Sequence, residues 1–128
     1  MLDVTVEQSD NILIFHVRGV LSLYDFVELI CTYCPMIRHH AIYDFSEASV
    51  DSSVTDTSLH ALADIAQRQL TNRNPEGKSA HVSSVTDTLG IQSIFASIIC
   101  DNSCPHEQAV FKSMDEAVLW LSVLAQRE

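Results

Sequence analysis

Positive charge is what this sequence most lacks. Lysine and arginine number 7 against 17 aspartates and glutamates, a formal net charge of −10 at neutral pH. That balance repels nucleic-acid phosphate and anionic lipid headgroups, and no basic stripe overcomes it, so nucleic acid is not an expected partner. Long apolar runs are missing as well: none reaches the length that spans a bilayer. The opening segment, Met1 to Glu7, has neither a basic n-region nor an apolar h-region, and the expectation is a soluble, cytoplasmic chain. Catalytic signatures are absent too. A nucleophile needs a base within hydrogen-bond reach, and there is no Gly-x-Ser-x-Gly elbow, no Walker loop and no His-Glu-x-x-His helix. The sequence therefore points away from an enzyme and calls for no cofactor.

What is present is apolar content. At 128 residues and 47 % hydrophobic, the chain suits one domain over 1–128 with a real core, and no low-complexity segment or linker divides it. Leu2, Val4 and Val6 alternate with Asp3, Thr5 and Glu7, which predicts an edge-like strand with one wet face, and Ser9-Asp10-Asn11 supplies a turn. Ile12 to Val17 is almost continuously apolar, as in an interior strand buried on both faces. Ser22 and Asp25 have capping-box spacing, and Leu23, Phe26, Val27, Ile30, Cys31 and Cys34 make the stripe of a first helix that Pro35 stops. Ala41 to Phe45 reads as a third strand, and Leu59, Leu62, Ile65, Ala66 and Leu70 as a second helix.

Ala80 to Val82 follows as a short fourth strand. Ile91, Ile94, Phe95, Ile98 and Ile99 predict a deeply packed third helix, and Ala109 to Phe111 a fifth strand. Ser113 and Glu116 then cap a fourth helix through Ala117, Val118, Leu121 and Leu124, flanked by Leu119 and Trp120. The order ββαβαβαβα predicts an α/β fold. After an opening hairpin, every later strand is reached through a helix by a right-handed parallel crossover, which makes a mixed five-stranded sheet with four helices.

One motif stands out. Ser52-Ser53-Val54-Thr55-Asp56-Thr57 returns letter for letter as Ser83-Ser84-Val85-Thr86-Asp87-Thr88, each copy following a strand and opening a helix. If those strands are parallel neighbours, both copies lie at one end of the sheet, where helix N-termini aim unpaired N–H groups at a shared crevice. The plain role is capping, since Ser, Thr and Asp accept bonds from orphan amides. The functional role is a hydroxyl-lined pocket of Ser52, Ser53, Thr55, Thr57, Ser83, Ser84, Thr86 and Thr88 that binds an anion or carries a regulatory phosphate. Asp56 and Asp87 oppose a bound anion unless their carboxylates turn outward.

The chain resembles the STAS family, the domain of bacterial anti-sigma-factor antagonists and sulfate-transporter tails, and more closely its SpoIIAA-like branch of small bacterial proteins. The likeness rests on Gly19-Val20-Leu21-Ser22, Ile42-Tyr43-Asp44-Phe45, Asp51-Ser52-Ser53, and Val110-Phe111 leading into Asp115-Glu116-Ala117-Val118-Leu119-Trp120-Leu121, in that order over nearly the whole chain. In STAS antagonists an Asp-Ser-Ser-Gly motif at the start of the second helix carries a serine phosphorylated by a partner kinase. Similarity assigns that role to Ser52 or Ser53, with Val54 where the family has glycine. The SpoIIAA-like branch is also compared with CRAL-TRIO lipid-binding domains, which implies an apolar cleft.

Other clusters carry less. Cys31-x-x-Cys34 and Cys100-x₃-Cys104 have the residue type for zinc, but the first pair continues a helical stripe, where thiols serve packing. It also lies at a helix C-terminus, where the dipole opposes thiolate formation. Of 6 histidines only His39 and His40 adjoin, and Asp44, Asp51, Asp56 and Asp87 lack calcium-loop spacing.

The expected function is a non-catalytic regulatory or interaction module, switched by phosphate or anion at the start of the second helix. Its partner would be a protein, a kinase or another regulator, and the oligomeric state stays open, a homodimer included. The rival is a carrier of an apolar, lipid-like molecule, held by Leu62, Ile91, Ile94, Phe95 and Ile98 between the second and third helices and the sheet.

Overall fold

The computed structural model describes residues 3–69, 74, 76–83 and 107–126. Strand β1 (Asp3–Ser9) turns through Asp10 and Asn11 into β2 (Ile12–Leu21), and Asp10 takes the left-handed φ of 52° that so tight a hairpin needs. Helix α1 (Leu23–Tyr33) follows, tightens into a 3₁₀ turn at Cys34–Met36, and leads to β3 (His40–Val50). Helix α2 (Asp56–Gln69), β4 (Lys78–Val82), β5 (Glu107–Phe111) and α3 (Met114–Gln126) complete the described elements. The sheet is mixed and five-stranded in the order β1-β2-β3-β4-β5; β1 pairs antiparallel with β2 and every later pair is parallel. Three helices are present among the described residues, and the helix expected over 91–99 lies outside them.

Each parallel crossover steps to the next strand in the same direction, so crossovers of one hand place their helices on one face. Phe26, Leu29 and Ile30 of α1 and Leu59, Leu62, Ala63 and Ala66 of α2 pack there against Leu13, Phe15, Val17, Ala41 and Phe45. Strand residues of opposite parity point the other way. Ile14, Ile42, Ala80 and Val82 meet Ala117 and Leu121 of α3 on the second face. The first halves of interior β2 and β3 are thus apolar on both sides.

Several expectations shift. The buried stripe of α1 is Phe26, Leu29 and Ile30, with Cys34 buried beyond it, while Cys31 is exposed. The helix presents its i, i+3, i+4 face to the core, and Cys31 falls on the next one over. In α3, Val118 is exposed with Leu119, because Ala117 and Leu121, with Met114 and Trp120 beside them, form the face that packs on the sheet. Strand β1 has no buried face: Val4 is half-buried and Val6 exposed, and no helix among the described residues covers this edge. Both β2 and β3 run past their apolar segments because Arg18 to Leu21 pair with Glu47 to Val50. A bulge in β3 precedes that pairing, and Gly19, at φ 113°, supplies a backbone angle that a β-carbon would strain.

Candidate functional site

The first hexapeptide lies at the C-terminal end of β3, between the starts of α1 and α2. Residues 51–53 form a turn closed by the Asp51 carboxylate, which accepts from the Ser53 amide at 2.8 Å and from the Ser53 hydroxyl. Those two bonds hold the Asp51 carboxyl below its ordinary range. Ser53 Oγ accepts in turn from the Leu23 amide at 2.8 Å, 30 residues away, at the first position of α1. The Asp51 amide donates to the Leu21 carbonyl at 2.9 Å. Ser53 is thus fully engaged. Ser52 is exposed, and its hydroxyl has no partner among the described residues.

The start of α2 shows what the rest of the motif does locally. Thr55 precedes the helix; Ser58 donates its amide to Thr55 Oγ1 at 3.3 Å, and Ser58 Oγ accepts from the Thr55 amide at 2.7 Å. This reciprocal cap is the capping box with serine in the place of Glu or Gln. Val54 is buried in the core and anchors the turn. Thr57 is exposed on the first turn. Replacing Thr55 by alanine is expected to cost about 1 kcal/mol in a urea titration, the ordinary loss of an N-cap.

The second copy is placed differently. β4 ends at Val82, the partner of Asp44, whereas β3 runs six residues further to Val50. At a rise of about 3.3 Å per residue, the first copy starts about 20 Å beyond the second along the strand direction. The two strand ends point the same way, so the starting points of the two copies, Ser52 and Ser83, are staggered along the strand direction. Ser83 is fully buried, with its amide donating to the Phe111 carbonyl at 3.1 Å, so it adds no exposed hydroxyl. Ser84, Thr86 and Thr88 lie outside the described residues, as do Cys100 and Cys104. What adjoins the first copy is the start of α1, a juxtaposition that spacing alone does not reveal. The apolar alternative gains nothing from Leu62, which is wholly buried in the core, and Ile91, Ile94, Phe95 and Ile98 are outside the described residues.

A second polar cluster went unread in the sequence. On the α3 side of the sheet, beyond the reach of α3, His16, Arg18, Asp44, Ser46 and Glu47 line an open pocket of about 190 Å³. His16 Nδ1 lies 2.9 Å from Asp44 Oδ2, and Nε2 lies 3.6 Å from Glu7 on β1. Asp44 Oδ1 accepts from the Ser46 amide at 3.1 Å and its hydroxyl at 2.6 Å. Burial pushes the Asp44 carboxyl up, but the bonds from Ser46 and His16 outweigh it and hold the group below its ordinary value. Arg18 and Glu47 pair at 2.7 Å across the bulge, both exposed, so the pair adds little. Ser46 bonds to Asp44, which lies between it and His16; this is not the nucleophile–base order of a hydrolase. The available signal was a polar residue at the same depth in two neighbouring apolar strands, and only the register makes it legible.

Among the described residues no three His, Cys, Asp or Glu side chains converge as a metal site, and no helix is long and apolar enough to cross a membrane. No family model matches the chain, and no curated protein matches it. Among solved structures it is similar to an uncharacterized DUF3478-family protein with a SpoIIAA-like fold from Shewanella loihica PV-4. The two share 16 % identity at a TM-score of 0.53, over 94 % of this chain and 93 % of that one. At that identity the likeness is one of fold, and the fold is SpoIIAA-like: helices on both faces of a mixed five-stranded sheet whose first strand is antiparallel.

Proposed function

We propose that this chain is a non-catalytic regulatory module of STAS type, switched at Ser52 by phosphate or by a bound anion. The observation that supports it is the division of labour in the 51–53 turn: Ser53 is engaged by Asp51 and Leu23, while the Ser52 hydroxyl is exposed and unengaged among the described residues. A kinase needs an exposed hydroxyl on a turn that can be presented to it. Phosphate there adds close to two negative charges at a rim shared by two helix starts, beside the ionised Asp51, and changes what docks there through electrostatics. The partner is a protein, a kinase or the regulator that reads the modified turn.

Mass spectrometry of protein isolated from cells is expected to find a phosphate on Ser52 and none on Ser53. Ser52→Asp is expected to change affinity for a co-purifying partner about tenfold, and Ser52→Ala to leave it at the unmodified value. An unmodified turn, together with a Ser52→Asp variant that alters no interaction, overturns the switch. A co-purifying hydrophobic mass would instead favour the lipid-like carrier.

A further inference from the structure

We infer that Ser53 is a positioning residue that relays the charge state of the 51–53 turn to the start of α1. The inference rests on Ser52 as the charged position and adds where that charge is felt. The first amides of a helix have no partner within it. In α1 the third is satisfied locally, by Ser22 Oγ accepting from the Asp25 amide at 3.1 Å, while the Asp25 carboxylate accepts from the Ser22 amide at 3.0 Å. The Leu23 amide is satisfied from across the fold, by Ser53 Oγ. The same hydroxyl donates to Asp51, so its orientation depends on where that carboxylate sits.

A negative group on Ser52 stands next to the Asp51 carboxylate and repels it. Asp51 then turns, the Ser53 side chain follows its acceptor by rotating about χ1, and Oγ is carried away from the Leu23 amide. The next residue is Tyr24, whose side chain is 69 % exposed and donates to Glu28 at 3.1 Å. An exposed aromatic at a loosened first turn is the surface on which a partner senses the change. Val54, by contrast, is buried and holds the far end of the turn still, so the movement has one direction to go.

Amide exchange and amide chemical shifts of the full chain test the relay. Ser53→Ala is expected to speed exchange at Leu23 about fivefold, and Ser53→Thr, which keeps the hydroxyl, to restore it. Ser52→Asp is expected to shift the Leu23 and Tyr24 amides in the wild-type background and not in Ser53→Ala. Shifts of equal size in both backgrounds, or none with Ser53 intact, overturn the relay. Should Ser53→Ala fail to fold, Ser52→Asp in the wild-type and Ser53→Thr backgrounds still decides, since the Leu23 shift must appear in both. A chain never phosphorylated in cells would remove the proposed switch but leave these shifts as they are, so the two failures are distinguishable.

Discussion

Phe15→Ala is expected to lower the unfolding free energy by about 3–5 kcal/mol, the usual cost of emptying an aromatic site in a core. Phe15 is 1 % exposed, on an interior strand and facing the two helices, with ring centroids 5.5 Å from Tyr33 of α1 and 5.6 Å from Tyr43 of β3. Removing it breaks contacts to a helix and to a neighbouring strand at once. Those partners are aromatic and cannot close the gap by a small rotation. A urea titration should show the midpoint falling with little change in slope. Tyr24→Ala, on the exposed side of α1, should stay within about 0.5 kcal/mol and serves as the control. A comparable loss at Tyr24 would mean that α1 docks through its outer face.

Asp44→Ala is expected to cost about 1–3 kcal/mol, because it removes the one carboxylate that the Ser46 amide, the Ser46 hydroxyl and the His16 ring share in a nearly buried place. The loss should also depend on pH. Asp44 is held below its ordinary value of 3.8 in the folded chain, so it binds its proton less readily there than when unfolded. Its ionised form therefore stabilises the fold fully above the unfolded value, and that contribution disappears as pH falls through the folded value. The gap between wild type and Asp44→Ala should accordingly be widest near neutrality and narrow in acid below the ordinary carboxylate range. Denaturant titrations at stepped pH measure it. A gap that widens in acid would show the carboxylate to be strained in the fold.

Both predictions depend on features of unequal legibility. Phe15 sits in an unbroken apolar run, and such a run announces an interior strand wherever it lies. The Ser22–Asp25 capping box is equally local, three residues apart, and it appears where the spacing placed it. The third strand, however, reads as ending at Phe45, yet β3 continues through Glu47 and Ser49 because β2 lies alongside and satisfies their backbone. Hydropathy cannot register a hydrogen bond to a segment 29 residues away. Asp44 and His16 were hidden for the same reason, each a lone polar residue until the sheet set them 2.9 Å apart.

The repeated hexapeptide shows the boundary between the two kinds of information. Residue order alone determined the succession of the described strands and helices, the acidic character, and the capping chemistry at the start of α2, because each depends on neighbours within a few positions. Tertiary structure alone decided that the two copies start at different points along the strand direction, that Ser83 is buried, and that Ser53 serves the start of α1. Those outcomes follow from unequal strand lengths and from register across the sheet, long-range quantities that identical local sequences cannot encode.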